Sequence, residues 1–196
     1  MKELLIIVVG PSGAGKSIFI EAGIPESYRY VTSQPMMDEL RRRGIEINHD
    51  TIFALSQEWY AKDPYWQVPL IFTALKGKKF LIVDGPRRAL EIKRLKELCR
   101  IIIVKIVSNP ENRFKWLKER KKIGLRNLEE FKRLESDETK KMDIGELIEM
   151  ADVMVINNLS KKRHQKKGKR FGLMLKLLPS FLPRPFLSFL LKISVL

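Results

Sequence analysis

Residues 10–17 read Gly-Pro-Ser-Gly-Ala-Gly-Lys-Ser, three glycines, a lysine and a terminal hydroxyl in one short stretch. An unbroken apolar run, Leu4 to Val9, stands directly before them. Glycines let successive backbone N–H groups turn toward one point with no Cβ in the way. The positive N-terminal end of a following helix would point at the same place. A strand, a G-x-x-x-x-G-K-S stretch and a helix start together describe a phosphate-binding loop. The whole run Gly10, Pro11, Ser12, Gly13, Ala14, Gly15, Lys16 and Ser17 is therefore expected to hold a triphosphate. Lys16 would bring a mobile charge to the β- and γ-phosphates, and Ser17 an oxygen for Mg2+.

A second stretch completes that chemistry. Leu81-Ile82-Val83-Asp84 is an apolar strand ending in an acid. A carboxylate at the end of a strand beside the loop is where the metal of a nucleoside triphosphate is held, so Asp84 joins Ser17 as a metal ligand. Gly85-Pro86-Arg87-Arg88 then turns tightly. Arg87 is expected on transferring or acceptor phosphate, with two solvated arginines as the plainer alternative. A third cluster is basic and helical: Arg113, Lys115, Lys118, Arg120, Lys121 and Lys122, then Arg126 beyond Gly124. Arg113 and Arg120, seven apart, share a helix face. Residues 115–130 read as a short lid, to which Arg113, Lys121, Lys122 and Arg126 are assigned, and whose Arg120, with Lys16 and Arg87, neutralises charge on the phosphoryl group; a solvated outer face is the alternative.

These residues need a scaffold. Five short apolar runs predict buried strands at Leu4–Val9, Arg29–Thr32, Phe80–Asp84, Ile101–Val107 and Val153–Ile156. Helical patterns separate them, which predicts a parallel sheet covered on both faces, with ligand at the carboxyl ends of the strands. Residues 33–75 form an insertion carrying Met36, Met37, Phe53, Trp59, Tyr60, Tyr65 and Trp66 with Arg41, Arg42 and Arg43. Such an insertion suits an acceptor pocket with aromatics for a base and cations for its phosphate, although each aromatic alone also suits a core.

Composition bounds the rest. The chain has 196 residues, 44% hydrophobic and 31% charged, enough for one domain with a real core. Its single cysteine, Cys99, excludes an intramolecular disulfide framework and suits a reducing compartment, so a cytoplasmic protein is expected. His49 and His164 lie far apart with no partner at ligand spacing, so no structural metal cluster is expected. The net charge of +15 is unevenly placed: residues 160–196 hold ten basic residues and no acid, leaving 28 basic against 23 acidic elsewhere. Residues 1–160 thus read as the domain and 161–196 as a basic, then apolar, C-terminal tail. Pro179, Pro183 and Pro185 interrupt its apolar half, which is too broken to span a membrane. The tail would meet an anionic membrane surface, making the protein peripheral there, or a protein partner, or serve no role; nucleic acid is the weaker partner.

The arrangement resembles the nucleoside-monophosphate-kinase-like P-loop proteins, and more narrowly the archaeal dephospho-CoA-kinase-like or nucleotide-kinase-like ATPases. The resemblance rests on GPSGAGKS, LIVDGPRR, SNPENRFKWLKER and DIGELIEMADVMVINN, and covers about residues 4–158. It implies a three-layer fold with a five-stranded parallel sheet of order 2-3-1-4-5, ATP and Mg2+ as donor, and adenine near Asn157 and Asn158. Two positions depart from that pattern, since Met37 and Trp116 stand where arginines are usual. The expected activity is phosphoryl transfer from ATP to a small nucleotide-like acceptor, a nucleoside monophosphate or a dephospho-CoA-like molecule. The alternative is a P-loop ATPase switch that docks nucleic acid, protein or membrane through its basic tail.

Overall fold

Every side chain from Leu5 to Val9 is buried, so the strand Leu4–Val9 (β1) runs through the middle of the molecule. The computed structural model describes residues 3–86, 88–119, 127–141, 144–158 and 160–177. Parallel partners lie on either side of β1: Phe80–Asp84 (β3) and Arg100–Val107 (β4). Arg29–Val31 (β2) and Val153–Ile156 (β5) complete the sheet, whose order is β2-β3-β1-β4-β5. This is the order and parallel sense that the resemblance implied, and with the glycine-rich loop it defines a P-loop kinase-like fold. Leu4 pairs with Phe80 and Val8 with Asp84, so Asp84 ends its strand beside the residues that lead into Gly10.

Alternation along the strands decides which helix covers which face. Ile6, Val8, Ile82, Ile102 and Val104 point to one side, where they meet Phe19 and Ile20 of Lys16–Gly23 (α1). Leu5, Ile7, Leu81, Val83 and Ile103 point to the other. There they meet the helices Gln67–Leu75 (α4), Ala89–Leu98 (α5) and Ile144–Glu149 (α8) through Ile71, Leu75, Ile92, Leu95 and Leu147. Cys99 packs in this second layer, its thiol donating to the Leu95 carbonyl at 3.2 Å.

The insertion between β2 and β3 folds as Gln34–Arg42 (α2), His49–Lys62 (α3) and α4. Asn48 caps α3: its Oδ1 accepts from the Thr51 N–H at 3.0 Å while the Thr51 hydroxyl accepts from the Asn48 N–H at 3.1 Å. Met36, Leu40 and Leu55 form a small core of their own, against which Trp59 and Trp66 pack. Pro110–Glu119 (α6) and Leu128–Lys141 (α7) follow β4.

The expected tail has a different character over its described part. Residues Lys161–Leu177 form a helix, α9, that belongs to the domain. Its buried positions are His164, Gly168, Phe171, Gly172 and Leu175, a helical stripe that lies along α1. Phe171 and Leu175 enter the same core as Phe19, with the Phe19 and Phe171 ring centroids 5.1 Å apart. Glycine is needed where the two backbones touch: a Cβ on Gly168 would stand 2.1 Å from the Phe19 carbonyl oxygen, and one on Gly172 2.1 Å from that of Gly23. The basic residues Lys161, Lys162, Arg163, Lys166, Lys169 and Arg170 occupy the exposed face of α9. Residues 178–196, which hold the apolar half of the expected tail, lie outside the described residues. No helix of the described residues is long and apolar enough to cross a membrane.

Candidate functional site

The loop after β1 closes on itself before α1 begins, with Ala14 N–H donating to the Pro11 carbonyl at 3.2 Å. Gly15, the residue just before α1, has φ +96°, and a Cβ there would stand 2.5 Å from Asn157 Nδ2 and 2.9 Å from His164 Nε2. The narrow fit and the left-handed backbone both require glycine. Lys16 opens α1, and its ammonium donates to the Gly10 carbonyl at 2.7 Å and the Pro11 carbonyl at 3.1 Å. Its charge thus lies over the loop.

Ser17, one residue into α1, and Asp84, at the end of β3, line one cavity of about 360 Å3. They come from different elements and meet because β1 and β3 are neighbours in register. A serine hydroxyl and a carboxylate facing one space at the foot of an amide-rich loop are hard oxygen donors of the kind Mg2+ takes. The residues present therefore fit a metal-nucleotide. Asp84 is 6% exposed and accepts from Arg29 Nη2 at 2.5 Å and Nε at 3.2 Å. Among the described residues no group of three or more His, Cys, Asp or Glu comes together as a metal cluster.

The cavity extends from Ser17 and Asp84 into the insertion. Val31, Thr32, Ser33, Met36, Ile52, Phe53, Tyr60 and Gln67 form part of its wall. Phe53 and Tyr60 of the insertion thus share a cavity with Ser17 and Asp84, while Trp59 and Trp66 pack on the small core instead. The arginines Arg41, Arg42 and Arg43 do not reach this space. Local ion pairs engage them: Arg41 with Asp38, Arg42 with Glu39, and Arg43 with Glu39 and Glu58.

Gln67 is 3% exposed; its Nε2 donates to the Thr32 carbonyl at 3.2 Å, and its Oε1 finds no partner among the described residues. Behind it lies a buried carboxyl, Glu91, which accepts from the Tyr60 hydroxyl at 2.9 Å. Burial is the main cause that pushes its pKa up, to about 7. Tyr30 is pushed up to about 12, by burial and then by the Glu91 charge. Arg88 lies over the Tyr60 ring, 4.9 Å from its centroid.

A second, smaller cavity of about 270 Å3 opens on the other side of the loop. Gly13, Gly15, Trp116, Asn157, Lys161 and His164 contribute to its lining. Asn157, named by the sequence, is 4% exposed and donates from Nδ2 to the Ala14 carbonyl at 2.8 Å, so it braces the loop from the end of β5. His164 was not expected. Its Nε2 lies 3.1 Å from the Gly15 carbonyl oxygen. Burial pushes the imidazole pKa down, so the ring is neutral and this contact assigns the proton to Nε2. His164 Nδ1 and Asn157 Oδ1 are then buried acceptors with no partner among the described residues. The signal in the sequence is the helical stripe His164-Gly168-Phe171-Gly172-Leu175, two of whose five members are glycines and one a histidine.

Arg113 differs from its expected place on a lid. It is 4% exposed, and it makes a two-pronged ion pair with Glu135 of α7, with Nη2 to Oε2 at 2.7 Å. Its Nε donates to the Ser108 carbonyl at 3.0 Å, and Nη1 lies 3.4 Å from the Ser12 carbonyl oxygen. Arg113 thus fastens α6 to α7 and to the loop. The remaining expected site residues Arg87, Arg120, Lys121, Lys122 and Arg126 lie outside the described residues.

Loop, strand order and shared cavity define a P-loop kinase-like protein, a fold that implies nucleotide binding in general. The chain is similar in sequence to proteins named UPF0200. That of Hyperthermus butylicus is 29% identical over 176 residues, covering 86% of this chain and 92% of its own. That of Thermococcus kodakarensis is 27% identical over 180 residues, covering 85% and 95%. No family model matches the chain. Among solved structures, TT1252 of Thermus thermophilus overlaps with a TM-score of 0.48 at 14% identity, covering 91% of this chain and 100% of its own. An unliganded sugar kinase of Janibacter overlaps with a TM-score of 0.45 at 11% identity, covering 85% and 92%.

Proposed function

We propose that this protein is a Mg2+-dependent ATP phosphotransferase whose acceptor is a small nucleotide-like molecule. The observation that carries the reading is one cavity lined both by Ser17 and Asp84 and by Phe53, Tyr60 and Gln67 of the insertion. Such a space admits a donor phosphate and an acceptor side by side. In this reading the loop amides and Lys16 hold the β- and γ-phosphates, the Lys16 ammonium exchanging its carbonyl partners for phosphate oxygens. Ser17 and Asp84 hold Mg2+, which when bound supplies charge neutralisation at the phosphate oxygens. Arg87 and Arg120 approach the transferring group, and Arg126, Lys121 and Lys122 belong to the lid around it. Nucleobase recognition falls to the smaller cavity, which Trp116, Asn157 and His164 help to line. An acceptor phosphate oxygen forms the new P–O bond as the β–γ bridging bond breaks and ADP leaves. Such an oxygen is already a nucleophile, so positioning and charge stabilisation suffice.

The test is a screen of small phosphorylated acceptors with ATP and Mg2+, reading ADP release together with transfer of labelled phosphate. Lys16→Ala should abolish transfer and weaken ATP binding with the fold intact. A folded Lys16→Ala protein that turns over ATP normally refutes the assignment.

A second reading draws on the basic outer face of α9. A P-loop ATPase switch that docks a polyanion through Lys162, Arg163, Lys166 and Arg170 would hydrolyse ATP slowly without an acceptor. Its activity would rise with polyanion and fall steeply with salt.

A further inference from the structure

Arg29 begins β2 and faces two carboxylates. Besides its two bonds to Asp84 Oδ2, its Nη1 donates to Glu21 Oε1 at 2.9 Å. Its side chain is 17% exposed, and that of Glu21 60%. The Glu21 contact is therefore a weak surface tether, whereas the contact with Asp84 compensates a nearly buried carboxylate. Arg29 is also the only basic side chain among the described residues lining the cavity of about 360 Å3. Arg41, Arg42 and Arg43 at the end of α2 are engaged in surface ion pairs instead.

This geometry carries a competition. A divalent cation at Asp84 would draw on the same Oδ2 that Arg29 holds and would repel the guanidinium. An arginine cannot shed its proton to relieve that repulsion. Glu21, an exposed tether, compensates it only weakly, so the guanidinium turns to an anion in the cavity it already lines. We propose that Arg29 binds the acceptor's phosphate, kept in reserve by Asp84 until a divalent ion takes that carboxylate. The acceptor is then a phosphomonoester and not a neutral alcohol, and its affinity rises once metal-nucleotide is in place. The proposal rests on the reading of Asp84 as a metal ligand.

The test uses the full chain with its loop saturated by ADP, and inorganic phosphate as probe, titrated in EDTA and followed by 31P line broadening. Asp84→Asn frees Arg29 without any metal, so it should bind phosphate about tenfold more tightly than the wild type. Adding Arg29→Met to Asp84→Asn should cancel that gain. No gain in Asp84→Asn, or a gain that survives Arg29→Met, overturns the proposal. Should the Asp84 variants fail to fold, wild type and Arg29→Lys are compared with Mg2+ and a non-hydrolysable ATP analogue bound. Arg29→Lys keeps the charge but loses the two-pronged fork, so phosphate should bind several-fold more weakly while the nucleotide affinity holds. Equal phosphate affinity overturns the proposal. The metal reading fails separately, if Mn2+ affinity measured with ADP by electron paramagnetic resonance is unchanged in Ser17→Ala.

Discussion

Glu91 offers a prediction that can be worked through in numbers. Glu91 is 2% exposed and bonds to Tyr60 and Gln67, which line the larger cavity. Burial raises its pKa from 4.5 to about 7, partly offset by the Tyr60 hydroxyl, the Gln67 N–H and the Arg88 charge. The folded protein therefore holds this proton more tightly than the unfolded chain does. The associated stability is fully present below the unfolded pKa and is lost as pH rises through about 7. A shift of that size corresponds to about 3 kcal/mol once pH exceeds the folded pKa. Glu91→Gln has the same shape, cannot ionise and can still accept from Tyr60. It should be more stable than the wild type by about 3 kcal/mol at pH 8, and the gap should shrink to about 1 kcal/mol or less near pH 5. Urea unfolding of both proteins at several values between pH 5 and pH 8 measures that gap directly, and groups unchanged by the substitution cancel in the difference. A gap that stays flat across this range would refute the argument. Because Tyr60 and Gln67 bond to Glu91 and also line the cavity, the same titration should alter acceptor affinity over the same pH window.

Other consequences are simpler to check. Gly168→Ala raises helix propensity by about 1 kcal/mol, yet its Cβ would press on the Phe19 carbonyl oxygen. Overpacking against backbone should outweigh the gain, for a net loss of about 2 kcal/mol and a fall in Tm of roughly 4–8 °C; a raised Tm in differential scanning fluorimetry contradicts the packing described. Arg113→Ala removes a buried cation from Glu135 and from two carbonyls, and should cost about 2–4 kcal/mol in chemical unfolding. Were Arg113 an exposed lid residue, the loss would stay below about 0.5 kcal/mol.

Much of this molecule is legible in its sequence because its signals are local. The Gly10–Ser17 loop announces itself through residue types that only a phosphate cradle needs together, and the five strands through short β-branched runs. The cap of α3 is local in the same way, since Asn48 and its partner Thr51 lie three residues apart. What could not be read depends on residues far apart. Arg29 and Arg113 look like surface charges until Asp84 and Glu135 are brought beside them, 55 and 22 residues on. Arg41 to Arg43 look available for a phosphate until Glu39 and Glu58 claim two of them. Helix α9 was hidden most fully. Its charges dominate the composition, and its inner stripe counts on glycines, whose contribution is the absence of a side chain.

The seating of His164 and of the Gly168–Gly172 pair against the opening helix has a consequence for how this molecule comes into being. The loop is walled by a stretch nearly 150 residues further along the chain. Until that stretch has been synthesised, the nascent chain carries an unfinished cradle with one side of Phe19 bare to water. The loop therefore reaches its folded surroundings only after α9 has been made, and a chain released before that point would be sticky.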